Sequence, residues 1–124
     1  QHKLMQIILA GQPELRERLQ QPELRQLRQR VMVHCDLATL TSIETALYIR
    51  HRLNVAGAGE RISFTPSAID LIYRRTGGIP CQINTLCDRS LLAAYVRKDF
   101  EVSARDVETA VQELASVIQG GGLE

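Results

Sequence analysis

Apolar positions along this chain follow two patterns that change near residue 40. The first segment, Leu4-Met5-Gln6-Ile7-Ile8-Leu9-Ala10, is a short run rich in Ile and Leu that ends at Gly11. It predicts a strand buried on both faces, which needs neighbours on either side. Gln12-Pro13-Glu14 follows, with Pro where a first helical turn tolerates it and an acid favoured by the helix dipole, then Leu15 and Leu19 at i,i+4. A short helix over about 13–20 is expected. Pro13-Glu14-Leu15-Arg16 returns nine residues later as Pro22-Glu23-Leu24-Arg25. That predicts two short helical pieces joined at Gln20-Gln21, and two copies at so short a spacing are local resemblance, not a repeat architecture. Val31-Met32-Val33-His34-Cys35-Asp36 alternates in the manner of a second strand with one more polar face.

Beyond residue 40 the apolar residues take up the helical period. Thr41 and Glu44 have the spacing of a capping box, opening a helix to about Ala56 that Gly57 and Gly59 stop. Thr65 is placed to cap a second helix, with Pro66 at its first position, Phe64 stapling onto Ile69, and Gly77-Gly78 closing it. Pro80 opens a third, with Ile83, Leu86, Cys87, Ser90, Leu91 and Ala94 on one stripe. Ser103 and Asp106 cap a fourth, with Val102 stapling onto Val107 and with Val107, Ala110, Val111, Leu114, Ala115 and Ile118 in the same periodicity. Stripes of this width must cover one another, so a helical bundle is expected. Gly120-Gly121-Gly122 reads as a flexible end, and Leu123-Glu124 has the look of an expression remnant.

Composition narrows the chemistry. The 124 residues carry a net charge of +1, and acids (Glu14, Glu17, Glu23) are interleaved with the N-terminal arginines, which argues against a strong nucleic-acid binder. No apolar run approaches the ~20 residues of a membrane span. The three cysteines, Cys35, Cys81 and Cys87, form no C-x-x-C pair, so no metal site is expected and a reducing cytoplasmic setting fits. His34 and Cys35 are adjacent and would point to opposite faces of a strand, giving a packed thiol and a solvated imidazole. Cys87 falls in the apolar stripe and is expected in the core, with Cys81 more exposed. There is no G-x-x-x-x-G-K-[ST] and no apolar run ending in paired acids, so the chain alone holds neither Walker A nor Walker B and should be inactive by itself.

Three segments together carry a resemblance: Ile7-Ile8-Leu9-Ala10-Gly11-Gln12-Pro13-Glu14-Leu15, then Leu24-Arg25-Gln26-Leu27-Arg28-Gln29-Arg30-Val31, then Gly77-Gly78-Ile79-Pro80-Cys81-Gln82-Ile83-Asn84-Thr85-Leu86-Cys87-Asp88. In this order and spacing they resemble the C-terminal part of the AAA+ ATPases of the general secretion pathway A type, also called ExeA-like, with the MSHA-pilus ATPase as a near relative. The resemblance implies a mainly α fold. In it an AAA+ lid-like bundle of about four helices over 39–119 follows remnant strands and short helices of a truncated P-loop α/β core over 1–38, with 120–124 as a tail.

The same resemblance implies the site. Gln12 matches the sensor 1 position at the end of the first strand; read from the residues alone, it precedes or caps the Pro13 helix. Arg30 matches the arginine finger presented in trans to a neighbouring subunit, with Arg28 as the runner-up. Cys81 stands where the family places the sensor 2 arginine, and a thiol cannot replace a guanidinium. Arg89 lies two turns further along the same helix, ~12 Å away along its axis, and is the weaker alternative. His34 and Asp36 stand where relatives usually show Arg and His. ATP and Mg are implied for the full-length parent and none for this fragment.

The implied function is the nucleotide-sensing and lid portion of an ATPase that assists assembly of a bacterial secretion or type IV pilus-like apparatus. Implied partners are other copies of the parent, in a ring or dimer, and secretion or pilus assembly proteins. Cytoplasmic placement is expected, at the inner face of the inner membrane if a segment outside this chain provides an anchor. The alternative is the helical C-terminal domain of a transposition-type AAA+ ATPase that contacts DNA or a recombinase. In the P-loop sheet the strands matching 4–10 and 31–36 are separated by the absent phosphate-loop strand. They are therefore expected to pair with each other, to pair with another copy of the chain in a truncation-induced dimer, or to form no sheet at all.

Overall fold

The computed structural model describes residues 5–120, with side chains through residue 116. The chain divides into two compact units, Gln1–Leu37 and Ala38–Glu124.

In the first unit, α1 (Pro13–Leu19), a 3-10 turn (Pro22–Leu24) and α2 (Arg25–Arg30) form where the two Pro-Glu-Leu-Arg segments predict them. Pro22 cannot donate a backbone hydrogen bond, so the chain restarts in a tighter turn before α2 begins. Neither predicted strand forms: residues 5–12 and 31–41 carry no helix or strand. Ile8 is 88% and Leu37 96% exposed. Of the arrangements open to these segments, pairing with each other within the chain does not occur. The physical reason is the lack of neighbours. A strand apolar on both faces is stable only when its ladder and both faces are covered, and these helices bury no residue. The packed thiol expected at Cys35 is accordingly exposed, while His34 is exposed as expected.

The second unit holds α3 (Ser42–Val55), α4 (Pro66–Thr76), α5 (Pro80–Val96) and α6 (Ala104–Gly120). Each starts near its sequence signal. Thr41 Oγ1 accepts from the Glu44 N–H (3.2 Å) and the Glu44 carboxylate accepts from the Thr41 N–H (2.8 Å), a complete capping box. Thr65 Oγ1 accepts from the Ala68 N–H at 3.1 Å, with Pro66 next in line. At α6 only half of the expected box forms: the Asp106 carboxylate accepts from the Ser103 N–H (2.8 Å), while the Ser103 hydroxyl donates to the same carboxylate (3.0 Å).

α5 packs on α6, α4 packs on both, and α3 packs on α4. The core is Ile49, Leu71, Ile72, Ile83, Leu86, Val102 and Val107 with the small residues Ala68, Ala94 and Ala110. Each large aliphatic side chain taken fully out of water contributes about 1.5–3 kcal/mol. Ile72, Val102 and Val107 are completely buried. The α5 stripe lands inward, with Ile83, Leu86, Ser90 and Ala94 buried and Cys87 and Leu91 half-buried. The α6 stripe does so through Val107, Ala110, Val111 and Leu114; Ala115 is exposed, and the Ile118 side chain lies outside the described set.

One feature of this unit has no counterpart in the periodicity. Residues Ser63–Phe64 (β1) and Glu101–Val102 (β2) form a two-residue parallel ladder, pairing Ser63 with Glu101 and Phe64 with Val102. It ties the segment before α4 to the segment before α6, so the two helices start side by side and their capping signals also set their mutual position.

Candidate functional site

The helical unit presents its chemistry mainly along α5. Ile79 precedes the helix in an extended conformation with no side-chain cap, and the Ile83 N–H reaches its carbonyl at 2.9 Å. Cys81 lies in the first turn and is exposed; its carbonyl accepts from Thr85 Oγ1 at 3.1 Å. Arg89 is exposed on the same helix. Eight residues of helix separate the two by about 80° around the axis as well as ~12 Å along it, so Arg89 does not occupy the place of a residue at position 81.

Asn84 and Asp88 follow Cys81 at i+3 and i+7, one face of α5. Tyr48 of α3 donates its hydroxyl hydrogen to Asn84 Oδ1 at 2.8 Å in a partly buried bond. Arg52, one turn on, donates to the Tyr48 hydroxyl at 3.4 Å and holds its guanidinium 6.0 Å from the ring centre. The Tyr48 hydroxyl, with Asp88 contributing at longer range, moves the Arg52 pKa upward, so this guanidinium stays charged. The neighbouring Cys87 thiol is pushed up to about 12, first by burial and then by the negative charge of Asp88. It is an inert, neutral packing group, not a nucleophile. Sequence reasoning did not single out Tyr48, Asn84 or Arg52. The available signal was the Tyr48–Arg52 pair at i,i+4 on α3, which has meaning only once α5 lies beside it.

A second polar cluster joins the end of α5 to the start of α6. Arg97 Nε and Nη2 donate to the two Asp106 carboxylate oxygens at 3.2 and 2.8 Å, Nη2 also reaches the Glu101 carbonyl at 3.2 Å, and Nη1 pairs with Asp99. Arg97 and the Ser103 groups hold the Asp106 carboxyl below the ordinary carboxylate range despite its burial. The Glu101 N–H, followed by Arg97, does the same for Asp99. Every donor here is spent on helix ends and turns, so the cluster is architectural. Two open clefts lie on this unit: one of about 330 Å³ bordered by Arg97 and Asp106 of this cluster together with Leu92, Val96, Arg105 and Thr109, and one of about 390 Å³ beside Ile49, Arg50, Leu53, Phe64 and Ile69. Neither is lined by Cys81 or Arg89. The described residues contain no group of three His, Cys, Asp or Glu side chains able to hold a metal.

In the first unit Gln12 stands at the N-cap of α1. Its carbonyl accepts from the Leu15 N–H at 2.9 Å and its side chain makes no cap bond, in keeping with a side chain longer than those that favour this position. Arg28 and Arg30 occupy the last turn of α2. Arg28 Nη1 reaches the Gln20 carbonyl at 3.4 Å, and Arg30, the final helical residue, is exposed without an ion pair among the described residues. Arg16 pairs with Asp36, both of the first unit.

Four helices preceded in the chain by short Arg-rich helical pieces make a mainly α protein, the fold class expected from the sequence. Over 119 residues the chain is 42% identical to general secretion pathway protein A of Aeromonas hydrophila, a match taking in 96% of this chain and 22% of that protein. The chain thus resembles the general secretion pathway A proteins and spans about a fifth of the length of the relative it matches, consistent with a C-terminal part of such a protein. No family model matches the chain. No solved structure matches it. Among the described residues no helix is long and apolar enough to cross a membrane.

Proposed function

We propose that this chain is the nucleotide-sensing and lid portion of an AAA+ ATPase that serves a bacterial secretion or type IV pilus-like apparatus. The reading is carried by the 42% identity to general secretion pathway protein A over nearly the whole chain. In it the four helices of the second unit are the lid, and the first unit is the end of the P-loop core. The chain has no phosphate loop of its own, so ATP and Mg would be held by parts of the parent beyond these residues.

The residues present have distinct roles in this reading. Gln12 is the sensor 1 residue. Arg30, exposed at the end of α2, is the group offered to nucleotide in a neighbouring copy, where a guanidinium fork stabilises charge on a transferring phosphoryl group; Arg28 is the second candidate. Cys81, at the uncapped start of α5, takes the sequence position at which the resemblance implies a sensor 2 arginine. Its thiol contributes no fixed charge, so the lid couples to nucleotide weakly, with Arg89 as a remote cation.

The test uses the full-length parent. Arg30→Ala protein mixed with wild type is expected to lower ATP turnover below the value set by simple dilution, because each altered copy disables its neighbour. Turnover that falls only in proportion to the wild-type fraction removes Arg30 from this role. A titration of DNA binding against salt addresses the transposition-type reading: tight binding with a steep salt slope would replace the proposal.

A further inference from the structure

We infer that a backbone joint between Leu40 and Gly78 makes the entry to α3 and the α4–α5 turn move as one body. Leu40 precedes the Thr41 cap and is the third residue of the helical unit. Its N–H donates to the Gly78 carbonyl at 2.9 Å, and its side chain packs against the core. Gly78 is buried with φ +78°, and a β-carbon there would stand 1.9 Å from the Leu40 carbonyl oxygen and 3.0 Å from the Leu40 nitrogen. Two strands of backbone are therefore in contact at a distance no other residue permits.

The turn on the other side of the joint is equally constrained. Gly77, at φ +60°, closes α4 through a bond from its N–H to the Tyr73 carbonyl (2.8 Å), and the Ile79 N–H returns to the Thr76 carbonyl (3.2 Å). The buried Thr76 hydroxyl donates to the Ile72 carbonyl at 2.7 Å and accepts, at 3.4 Å, from the Gly78 N–H. Two residues beyond the turn stands Cys81. The Tyr48–Asn84 bond repeats the connection further along, so α3 and α5 are tied at their starts and again three to four residues into α5.

A displacement of the first turn of α5 is consequently passed to Leu40, where the chain enters the helical unit. The joint does not depend on the nucleotide reading; only the meaning of a displacement at Cys81 rests on that reading, and the test below uses no nucleotide.

Amide hydrogen exchange on the labelled chain decides the matter. In the unaltered protein the Leu40 amide is expected to open together with those of Gly77 and Ile79, with protection factors within about threefold of theirs under varied denaturant. In Gly78→Ala the Leu40 amide is expected to exchange at least tenfold faster while Val107 and Ala110 keep their protection. Leu40 opening independently of Gly77 and Ile79 in the unaltered protein overturns the inference, as does unchanged Leu40 protection in a folded Gly78→Ala. If that variant does not fold, the measurement on the unaltered protein stands as the deciding one.

Discussion

Arg97 and Asp106 face each other through two hydrogen bonds, 3.2 and 2.8 Å, that join the C-cap residue of α5 to the first turn of α6. The same carboxylate accepts from the Ser103 N–H and hydroxyl. One side chain thus satisfies an orphan donor at the start of a helix and neutralises the cation that ends the preceding one.

Asp106→Ala should therefore cost more than an average surface change. Loss of the cap alone is worth about 1–2 kcal/mol, and for a domain of this size each kcal/mol lowers the melting temperature by about 4–8 °C. Calorimetry on the variant should show a fall of that order. Glu108→Ala, exposed in the next turn, should leave the transition within about 2 °C of its original position.

Acid sensitivity follows from the same cluster. Asp106 and Asp99 have folded-state pKa values below the ordinary one, so the stabilisation they provide is fully present above about pH 4 and is lost as pH falls through the lowered values. Urea unfolding followed from pH 6 down to pH 2.5 should show stability declining most steeply below pH 4. Asp106→Asn should be less stable at pH 6 and flatter across the acid range. Parallel curves for the two proteins would mean that the carboxylate charge has no part in the effect.

Thr45 is completely buried in α3, and its hydroxyl has no hydrogen-bond partner among the described residues. A buried donor left unpaired is a desolvation cost, whereas a methyl group of the same shape carries none. Thr45→Val is expected to stabilise the helical unit by about 1 kcal/mol in chemical denaturation. A loss of stability would reveal a partner for the hydroxyl, such as an ordered water.

The cysteines should separate by reactivity. With its thiol pushed up to about 12, Cys87 at pH 8 is ionised on the order of one part in 10⁴, while Cys35 and Cys81 are exposed. Brief alkylation with iodoacetamide, read by mass spectrometry, is expected to add two groups and to modify Cys87 only after denaturation.

The helix starts were legible because their signals are local. A Thr hydroxyl and a Glu carboxylate three residues apart satisfy each other's backbone donors whatever surrounds them, as Thr41 and Glu44 do, and Thr65 needs only its own hydroxyl to accept from the Ala68 N–H. Gly77 likewise announces a helix end, since only a residue free of a side chain adopts its left-handed backbone without strain. The apolar stripes of α5 and α6 were readable for the same reason: a period of 3.6 puts them on one face before any partner is known.

The two β segments were misread for the complementary reason. Ile7-Ile8-Leu9 and Val31-Met32-Val33 have strand composition, yet a strand is completed by hydrogen bonds to another segment, and none is supplied among the described residues. The short β1–β2 ladder shows the converse: Ser63–Phe64 and Glu101–Val102 lack a strand's length or alternation and pair because the helices around them bring their backbones together.

The candidate site divides in the same manner. The proposed roles of Gln12, Arg28, Arg30 and Cys81 rest on a resemblance carried by order and spacing along the chain. That Tyr48 grips Asn84 and that Leu40 is locked to Gly78 depend on contacts between residues 36 and 38 positions apart. Local capping and periodicity determined the helices of this protein; the pairing of distant backbone and side-chain groups, whose free energy exists only once the helices pack, was decided by the tertiary structure.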